Sequence, residues 1–368
     1  MAAVIRCVDV VAKTMSSLPL NLYQTTANGR EKAVNHPLYK LLYRLPNPET
    51  TAYEFIHMFV FNLMLTKGAY AKIVRDRNGF ITALWNIPTA NTKPGRNSVS
   101  GERYIDVYAD GMYLETLRDG NYMWTPGLRF TDATDPEDPL RIASEVLGLT
   151  MALNSYAEDY FKNGSNIGGF VELPNALGDE SFARFKESWQ ASYEGVTNQH
   201  KIAFLEEGAK FHELGKTPED SQALESRKFE ILEICRIFGV PPHLCYDLDR
   251  SIFSNIEQQN ISYVQDCLSP MSVRIEQSIY KDLLTVKEQD IYFSKFALNG
   301  LLRGDIAART AYYNSARQNG WMNSTEIREL EDMSAIPEED GGLAYLVNGN
   351  YISLKNAANN LPKSMQKT

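Results

Sequence analysis

The stretch FEILEICRIFGVPPHLCYDLDRSIFSN, residues 229–255, decides how this chain folds. It begins with the apolar spacing of an amphipathic helix, which the sequence GVPP at residues 239–242 ends. Glycine favours a left-handed helix cap, while proline lacks the N–H that a helix requires and restricts the residue before it. A polar loop follows at about residues 245–255, and a new helical pattern starts near Ile256. The stretch therefore predicts a helix that stops sharply and presents a loop.

The composition is that of a globular protein that can build real cores. The chain has 368 residues, of which 43% are hydrophobic and 23% are charged, and this length allows about two or three domains. The sequence has no apolar run of about 18 residues, and charged residues interrupt its first apolar segment, so neither a membrane span nor a secretory signal is expected. The cysteines, Cys7, Cys235, Cys245 and Cys267, form no CxxC pair and are predicted to be buried thiols in a reducing compartment.

The net charge argues against a protein that grips nucleic acid through its phosphates. The formal charge is −9, whereas proteins that bind nucleic acid tightly usually carry a basic surface. Nucleic acid is still possible as a partner, because a surface past which DNA must slide would be neutral or acidic. The charge therefore excludes tight phosphate binding as the default function.

Residues 1–130 have the pattern of an α+β region. Apolar residues recur at helical spacing from Ile5 to Met15, and a second apolar helix is predicted over residues 51–66. Two hairpins are also predicted, because turn sequences at residues 77–79 and 110–111 each separate two strand-like runs.

Two long helices bracket a small insert in the middle of the chain. The first starts at Asp138, which caps a helix whose first residue is Pro139, and ends near Gly164. The second runs from about residue 217 to 239. This order predicts a helical stalk that carries a small head. The head is predicted to hold a strand, a helix and two further strands, at residues 169–173, 181–193, 201–205 and 210–214.

A third long helix is predicted over about residues 256–284, with its apolar residues in one register. Pro270 lies inside this helix and predicts a kink or a break at Ser269. Asn323 and Glu326 match a capping box for the last helix of the chain. The remaining predictions are a strand, two short helices and a flexible tail, at residues 290–293, 303–319, 324–333 and 337–368.

Catalytic, cofactor and metal sites are not expected from the residue spacings. The sequence has no GxxxxGK loop for phosphate and no GxSxG elbow, and its five histidines are not paired at ligand spacing. Asp247 and Asp249 would suit a metal-dependent hydrolase, but no motif places a His, Lys or Ser beside them. The acidic residues within 132–138 fit a solvated loop with a helix cap better than a cation site.

Acidic residues outnumber basic ones on the two stalk helices. By themselves such helices are simply solvated. Repeated around a ring, the same surface would form an acidic lumen that repels a phosphate backbone. The residues concerned are Glu145, Glu158, Asp159, Glu225, Glu230 and Glu233.

Several motifs resemble, in their order and their residues, those of the portal proteins of tailed double-stranded DNA bacteriophages of the long-tailed, siphovirus type. Each motif alone is weak, but their joint order is specific and extends from about residue 4 to residue 342. Residues 126–138 depart from that family, because an acidic segment replaces its histidine- and glycine-containing approach to the stem. The motifs are SLPLNLY (17–23), HPLY (36–39), PNP (46–48), GAYA (68–71), YFKNG (160–164), FGVPP (238–242), LLRGD (301–305) and NSTEIR (323–328).

The resemblance implies an α+β portal fold with a mixed α/β wing, a two-helix stem, a small α/β clip, a long kinked tunnel helix and a helical crown. In that family a dodecameric ring occupies one capsid vertex, and DNA passes through its channel during packaging, retention and ejection. The implied segments are 1–137 (wing), 138–168 (first stem helix), 169–216 (clip), 217–240 (second stem helix), 241–256 (tunnel loop), 257–300 (tunnel helix and wing return), 301–336 (crown) and 337–368 (tail).

The resemblance also implies roles for the helix stop and its loop. Gly239, Pro241 and Pro242 would be the hinge, and the tunnel loop would touch DNA through sparse polar contacts. The candidates for those contacts are Arg250, Ser251, Ser254 and Asn255.

The implied partners are those of a non-enzymatic conduit. They are further copies of the chain, double-stranded DNA, the terminase, the head–tail adaptor, and the major capsid and scaffold proteins. The implied location is the virion and, during assembly, the host cytoplasm, with no membrane and no cofactor. Two alternatives stay open: a structural capsid or adaptor component without a DNA channel, and a metal-dependent hydrolase.

Overall fold

The structure, a computed structural model, forms two compact units, one up to residue 297 and one from residue 298. Among the residues that it describes, no helix is long and apolar enough to cross a membrane. The described residues are 2–27, 29–127, 136–149, 151–152, 155, 169–172, 178, 180–184, 186–187, 210–213, 229, 231–245, 253–298, 301, 306–331 and 333–346.

The first unit has a mixed architecture of helices and small antiparallel sheets, as the α+β prediction requires. Residues 144–149, 180–184, 186–187 and 231–238 are also helical, and residues 89–91 and 242–245 form 3₁₀ turns. In chain order the remaining elements are α1 (Ala2–Ser17), β1 (Leu20–Thr26), β2 (Gly29–Lys32), α2 (Pro37–Tyr43), α3 (Ala52–Leu65), β3 (Gly68–Arg75), β4 (Ile81–Ile87), β5 (Thr92–Arg96), β6 (Arg103–Ala109), β7 (Met112–Arg118), β8 (Tyr122–Pro126), α4 (Pro139–Ile142), β9 (Gly169–Glu172), β10 (Lys210–Glu213), α5 (Phe253–Ser262), a π-helical segment (Tyr263–Leu268), α6 (Ser269–Leu283), α7 (Val286–Gln289) and β11 (Tyr292–Phe296).

The predicted N-terminal helices and both hairpins are confirmed. β3 pairs antiparallel with β4, and β6 with β7, around the two predicted turns. The stripe of α1 is buried as expected from Val8 to Met15, but its first predicted member, Ile5, is 54% exposed. Thr51 and Glu54 form a capping box at the start of α3, which explains why that helix begins at Ala52.

Three strands of this region, β2, β5 and β8, were not predicted. β5 contains Pro94 and Gly95, which are both poor strand formers, and it lies at the edge of the sheet β5-β6-β7, where a missing N–H is tolerated. β8 is short and completes the sheet β4-β3-β8 by pairing with β3. Its pairing partner is about 50 residues away in sequence, and local patterns carry little information about such a partner.

The chain returns to its first strand at the end of this unit. β11 pairs antiparallel with β1, with Leu20 opposite Phe296. The strand begins at Tyr292, later than the predicted residue 290, because Thr285 and Glu288 form a capping box that starts the short helix α7. Residues that lie far apart in sequence therefore share the sheet β11-β1-β2.

The insert and the stalk are described in part. β9 pairs antiparallel with β10, as predicted from residues 169–173 and 210–214. The Asp138 side chain accepts a hydrogen bond from the Leu140 backbone N–H, which confirms the predicted cap of the first stalk helix. The predicted end of that helix, the predicted start of the second, and the strand at residues 201–205 lie outside the described residues.

The long third helix does not break at its proline, so the predicted break is corrected, while the alternative, a kink, stays a prediction. Leu268 and Ser269 keep right-handed helical backbone angles, and the helix runs on through α6 to Leu283. The irregularity is the π-helical segment Tyr263–Leu268, in which the Ser269 N–H bonds the Val264 carbonyl, five residues back. A proline ring clashes with the carbonyl four residues before it, and a wider turn relieves that clash without ending the helix.

Three charged side chains fasten α6 to the sheets. The Arg274 guanidinium donates to the Pro126 carbonyl at 2.7 Å and also to the Gly127 carbonyl. The buried Glu276 carboxylate accepts from the Phe296 backbone N–H at 2.8 Å and from the Lys295 ammonium at 3.1 Å. The Asp282 carboxylate accepts from the Trp124 backbone N–H at 3.0 Å. α6 is therefore fixed to both β8 and β11.

Gly68 is required by a close approach between β3 and β8. A Cβ at this position would lie 2.7 Å from the Thr125 carbonyl oxygen and 2.7 Å from Trp124 Nε1. Since the backbone oxygen cannot easily move, Gly68→Ala is expected to lower the free energy of unfolding by about 1–3 kcal/mol. Chemical denaturation measures this loss. Gly148→Ala is the matched control, because its site is helical and open, and it should be neutral or stabilising. Equal losses in both variants would contradict the steric explanation.

Glu288 makes a pH-dependent contribution to stability. Burial alone would raise the pKa of the Glu288 carboxyl, but hydrogen bonds from Thr285 and His36 outweigh it and hold the pKa below its usual value. Because this carboxyl has a lower pKa in the folded state than in the unfolded state, its ionised form stabilises the fold. The contribution is fully present above the unfolded-state pKa, about 4.5, and is lost as the pH falls through the folded-state pKa.

Glu288→Gln is therefore expected to lower the Tm at pH 7 and to differ less from the parent protein as the pH falls below about 4.5. Thermal unfolding of both proteins across pH 3–7 measures this difference. Glu31→Gln, on the exposed strand β2, serves as the control and should change the Tm little at any pH. A Glu288→Gln difference that stays constant over the whole range would contradict the prediction.

The second unit is described over two helices, α8 (Ile306–Gln318) and α9 (Ser324–Leu330). The predicted capping box is confirmed, because Asn323 Oδ1 accepts from the Glu326 N–H at 2.9 Å and Glu326 Oε2 accepts from the Asn323 N–H at 2.8 Å. The Tyr312 and Trp321 rings meet edge to face at 5.4 Å. Within the predicted tail, residues 347–368 lie outside the described part of the chain.

Candidate functional site

The helix stop is a complete Schellman cap. Gly239 has φ +67°, the left-handed conformation that glycine adopts without penalty. Its N–H bonds the Arg236 carbonyl at 3.3 Å, and the Val240 N–H bonds the Cys235 carbonyl at 2.9 Å. This pair of bonds satisfies two carbonyls that a helix end otherwise leaves without partners. The predicted stop at residue 239 is therefore built by Gly239 and Val240 before either proline is reached.

The chain after the stop is held from two sides. The 3₁₀ turn at residues 242–245 closes with a bond from the Leu244 N–H to the Pro241 carbonyl at 3.1 Å. On one side, Arg6 Nε of α1 donates to the Leu244 carbonyl at 3.2 Å. On the other side, the His243 ring contacts side-chain oxygens of α5. Its nitrogens lie 2.7 Å from Gln259 Oε1 and 3.0 Å from Asn260 Oδ1. The turn therefore connects α1 with α5.

A surface cleft of about 370 Å³ lies beside the stop. Its walls come from the helix at residues 231–238, the segment 239–242, and the side chains of Ser262, Tyr263 and Asp266. Tyr263 is buried, and its hydroxyl donates to Thr14 Oγ1 of α1 at 3.4 Å. Burial raises the pKa of the Tyr263 hydroxyl, so it stays protonated at neutral pH. The cleft is thus shaped by the same residues that terminate the helix.

The candidate DNA contacts are only partly placed. Ser254 and Asn255 lie in the first turn of α5, which begins at Phe253, three residues before the predicted start. The predicted helix start lay too far along the chain because it relied on Ile256, the first apolar residue in register. The first turn of a helix depends on capping more than on apolar spacing. Arg250 and Ser251 lie outside the described residues, as do Asp247 and Asp249 of the hydrolase alternative.

Two of the acidic candidates are described. Glu145 is exposed on the helical residues 144–149. Glu233 is half-buried and forms an ion pair with Arg236 one turn later, so part of its charge is compensated locally. The other candidates lie outside the described residues, and these are Glu158, Asp159, Glu225 and Glu230.

Three cysteines meet at the helix stop, and the sequence spacing did not predict this. Cys7 Sγ of α1 lies 3.2 Å from Cys245 Sγ and 3.8 Å from Cys235 Sγ. Cys7 and Cys235 are buried, as predicted, and Cys245 is half-exposed. Hydrogen bonds from Cys235 and Cys7 lower the pKa of the Cys245 thiol. Since Cys7 is more than 220 positions from the other two, no local motif could have revealed the cluster.

The fourth cysteine lies apart from this cluster. Cys267 Sγ is 3.8 Å from the Phe238 carbonyl, and burial raises the pKa of its thiol to about 12. It is therefore an ordinary buried thiol, as the sequence predicts for it.

Known proteins resemble this chain over most of its length. A family model described as phage portal protein matches residues 2–332. The probable portal protein of Streptomyces phage phiC31 is 30% identical over 349 residues, which are 92% of this chain and 75% of that protein. The portal protein of Enterobacteria phage HK97 is 30% identical over 343 residues, which are 91% of this chain and 79% of that protein.

Solved structures share the fold. A chain in the virion of a native gene transfer agent particle matches with a TM-score of 0.62 at 17% identity, over 91% of this chain and 90% of that one. The crystal structure of an HK97 family phage portal protein from Corynebacterium diphtheriae matches with a TM-score of 0.59 at 17% identity, over 82% of this chain and 94% of that one.

Proposed function

The chain belongs to the phage portal protein family of head–tail connectors, and we propose that copies of it form a dodecameric ring at one capsid vertex through which double-stranded DNA enters and leaves. The observation that carries the proposal is the extent of the family match, which runs over the described elements from α1 to α9. A chain that shared only the wing or only the stem would not support a complete conduit.

Exposed apolar residues on β7 support assembly into a ring. Met112, Tyr113 and Leu114 are consecutive on this strand and are 70%, 57% and 59% exposed, and Leu114 is a bulged residue without a partner on β6. Leu117, further along the strand, is buried in the core that it shares with Trp124. Adjacent exposed apolar residues on a monomer mark surfaces that a partner covers, and ring symmetry repeats that contact around the axis.

The acidic balance of the chain supports a conduit over a DNA clamp. A ring of chains that each carry −9 has an electrostatic potential that repels phosphate, so DNA can move through it without sticking. Arg250, Ser251, Ser254 and Asn255 would then supply the few polar contacts at the tunnel loop. The terminase, which hydrolyses ATP, would dock on this ring during packaging, and the head–tail adaptor would follow it. The ring itself would have no catalytic role.

Negative-stain imaging combined with light-scattering mass tests this function on the purified full chain. Rings with a channel wide enough for duplex DNA are the expected result, and ring sizes other than twelve would still support the conduit. A stable monomer under every condition would contradict the proposal. Rings with a channel too narrow for duplex DNA would favour the structural capsid or adaptor component.

Leu114→Asp is expected to shift the protein from rings to smaller species, because it places a charge among the exposed apolar side chains of Met112, Tyr113 and Leu114. Size-exclusion chromatography with light scattering measures the shift. Val99→Asp places the same charge on a fully exposed turn residue and should leave the rings intact. Intact rings in Leu114→Asp would show that these exposed side chains are not part of the subunit contact.

A further inference from the structure

We propose that Cys7, Cys235 and Cys245 form a three-thiolate site for a thiophilic divalent cation, with zinc as the ion that fits the donor set. The proposal does not depend on the portal function, because it rests on the positions of the three sulfur atoms.

The distances among the three sulfur atoms match a shared metal ion. All three lie within 4.8 Å of one another. Tetrahedral zinc holds each thiolate at about 2.3 Å, which places pairs of sulfur atoms about 3.8 Å apart. The Cys7–Cys235 distance of 3.8 Å already has this value, and the Cys7–Cys245 distance of 3.2 Å is about 0.6 Å shorter. A small rotation of the half-exposed Cys245 side chain would bring the third ligand into place.

The cluster fits a metal better than a disulfide. A disulfide joins two sulfur atoms at about 2.0 Å and would leave the third thiol beside it without a role. Three thiols from three separate elements, namely α1, the helix at residues 231–238 and the turn at 242–245, converge on one point. Soft sulfur ligands in this arrangement select zinc and similar thiophilic cations over magnesium or calcium.

The surroundings offer charge compensation, and among the residues that the structure describes no fourth His, Cys, Asp or Glu groups with the three sulfur atoms. Three thiolates and one divalent cation leave a net charge of −1, and Arg6, which donates to the carbonyl of Leu244 beside Cys245, carries the opposite charge. Cys7 and Cys235 are buried, while Cys245 is half-exposed, so solvent reaches the site from the Cys245 side. A water molecule on that side would complete a tetrahedron.

A bound ion would join the two sides of the helix stop. Cys235 precedes the Gly239 cap and Cys245 follows Pro242, so a shared ion would hold the ends of this segment at a fixed separation. Cys7 would attach both ends to α1. The direction in which the chain leaves the turn toward α5 would then depend on the metal as well as on the cap.

Cobalt(II) is the probe that tests the site, because it occupies zinc sites and has visible absorption that zinc lacks. The reduced full-length chain, in the assembly in which it purifies, is titrated with cobalt under anaerobic conditions. The expected spectrum has thiolate-to-cobalt charge-transfer bands and the intense visible bands of tetrahedral cobalt. These bands should saturate at about one cobalt ion per chain, and added zinc should abolish them. Zinc content of protein from zinc-supplemented cells, measured by mass spectrometry, should agree.

Cys-to-Ser variants assign the ligands. Cys7→Ser and Cys245→Ser are expected to weaken cobalt binding by more than about 100-fold, since each removes a direct ligand. Cys267→Ser is the matched control, because it removes a buried thiol outside the cluster, and it should bind like the parent. If Cys7→Ser fails to fold, the Cys245→Ser variant, at a half-exposed position, and the cobalt spectrum of the parent protein still test the metal site.

Three results would overturn the site. The first is an absence of tetrahedral cobalt bands in the reduced parent protein. The second is cobalt binding that Cys245→Ser leaves unchanged or that Cys267→Ser reduces equally. The third is a Cys7–Cys245 disulfide in protein purified from a reducing cytoplasm, which would assign the pair to a covalent link. None of these results would alter the outcome of ring imaging, so the two proposals fail independently.

Discussion

Changing Gly239, Pro241 and Pro242 together to alanine is expected to abolish DNA packaging in a phage that depends on this chain. Alanine in the left-handed conformation of Gly239 costs about 1–2 kcal/mol, so the cap is no longer favoured. Without the prolines, the backbone beyond residue 240 regains its N–H groups and can continue the helix. The turn at residues 242–245 would then be drawn into the helix, and its contacts with Arg6 and Gln259 would be lost. DNA-filled heads, counted after complementation, measure the effect.

Partial variants separate the two devices that stop the helix. Changing only Pro241 and Pro242 leaves the Gly239 cap and its two backbone bonds in place, so packaging should continue. Changing only Gly239 weakens the cap but keeps the prolines, so a moderate loss of stability with residual packaging is expected. The sequence, in which Gly239 and both prolines end the helix, would predict read-through once Pro241 and Pro242 become alanine, and the complete Gly239 cap is the reason for the different expectation. Normal packaging by the triple variant would show that the sharp stop is not needed.

Phe59→Ala is expected to lower the free energy of unfolding by about 3–5 kcal/mol, the range for removing a buried aromatic ring. Phe59 is completely buried on α3, stacks on Phe55 with ring centroids 6.0 Å apart, and lines the same small apolar void as Met123 of β8 and Ile275 of α6. Because Ile275 of α6 packs in this core, the variant should also yield less soluble ring. Denaturant unfolding gives the free energy, and soluble yield gives the second measure.

Met58 provides the matched control for this prediction. It is adjacent to Phe59 on α3, but its side chain is 43% exposed. Met58→Ala should therefore change the stability by about 0.5 kcal/mol or less, the usual range for surface positions. Comparable losses in the two variants would mean that the core does not depend on the Phe59 ring.

Features of the fold that depend on neighbours in sequence could be predicted. Helix caps at Asp138 and Asn323 and the hairpin turns are decided by a few adjacent residues, so their sequence signals are direct. The edge strand β5 and the π-helical segment could not be predicted in this way, because pairing partners and a tolerated proline depend on the surrounding tertiary structure.

The candidate site also has one feature that depends on neighbours in sequence and one that depends on tertiary contacts. The stop at Gly239 was evident from the sequence, since glycine and proline restrict the backbone locally. The cysteine cluster was not, because it brings Cys7 next to residues more than 220 positions away. Contacts of that kind depend on how α1 packs against the turn at residues 242–245, and no spacing within one segment encodes that packing.

The π-helical segment gives the long third helix two independent surfaces. A wide turn uses one residue more than an ordinary α-turn, so the residues before and after it differ in rotational phase by about 100°. The face of α6 that carries the buried Ile275 and Ile279 therefore does not continue along α5. Substitutions of Gln259 and Asn260 on α5 should therefore affect the turn at residues 242–245, which they contact through His243, more than the core beneath α6.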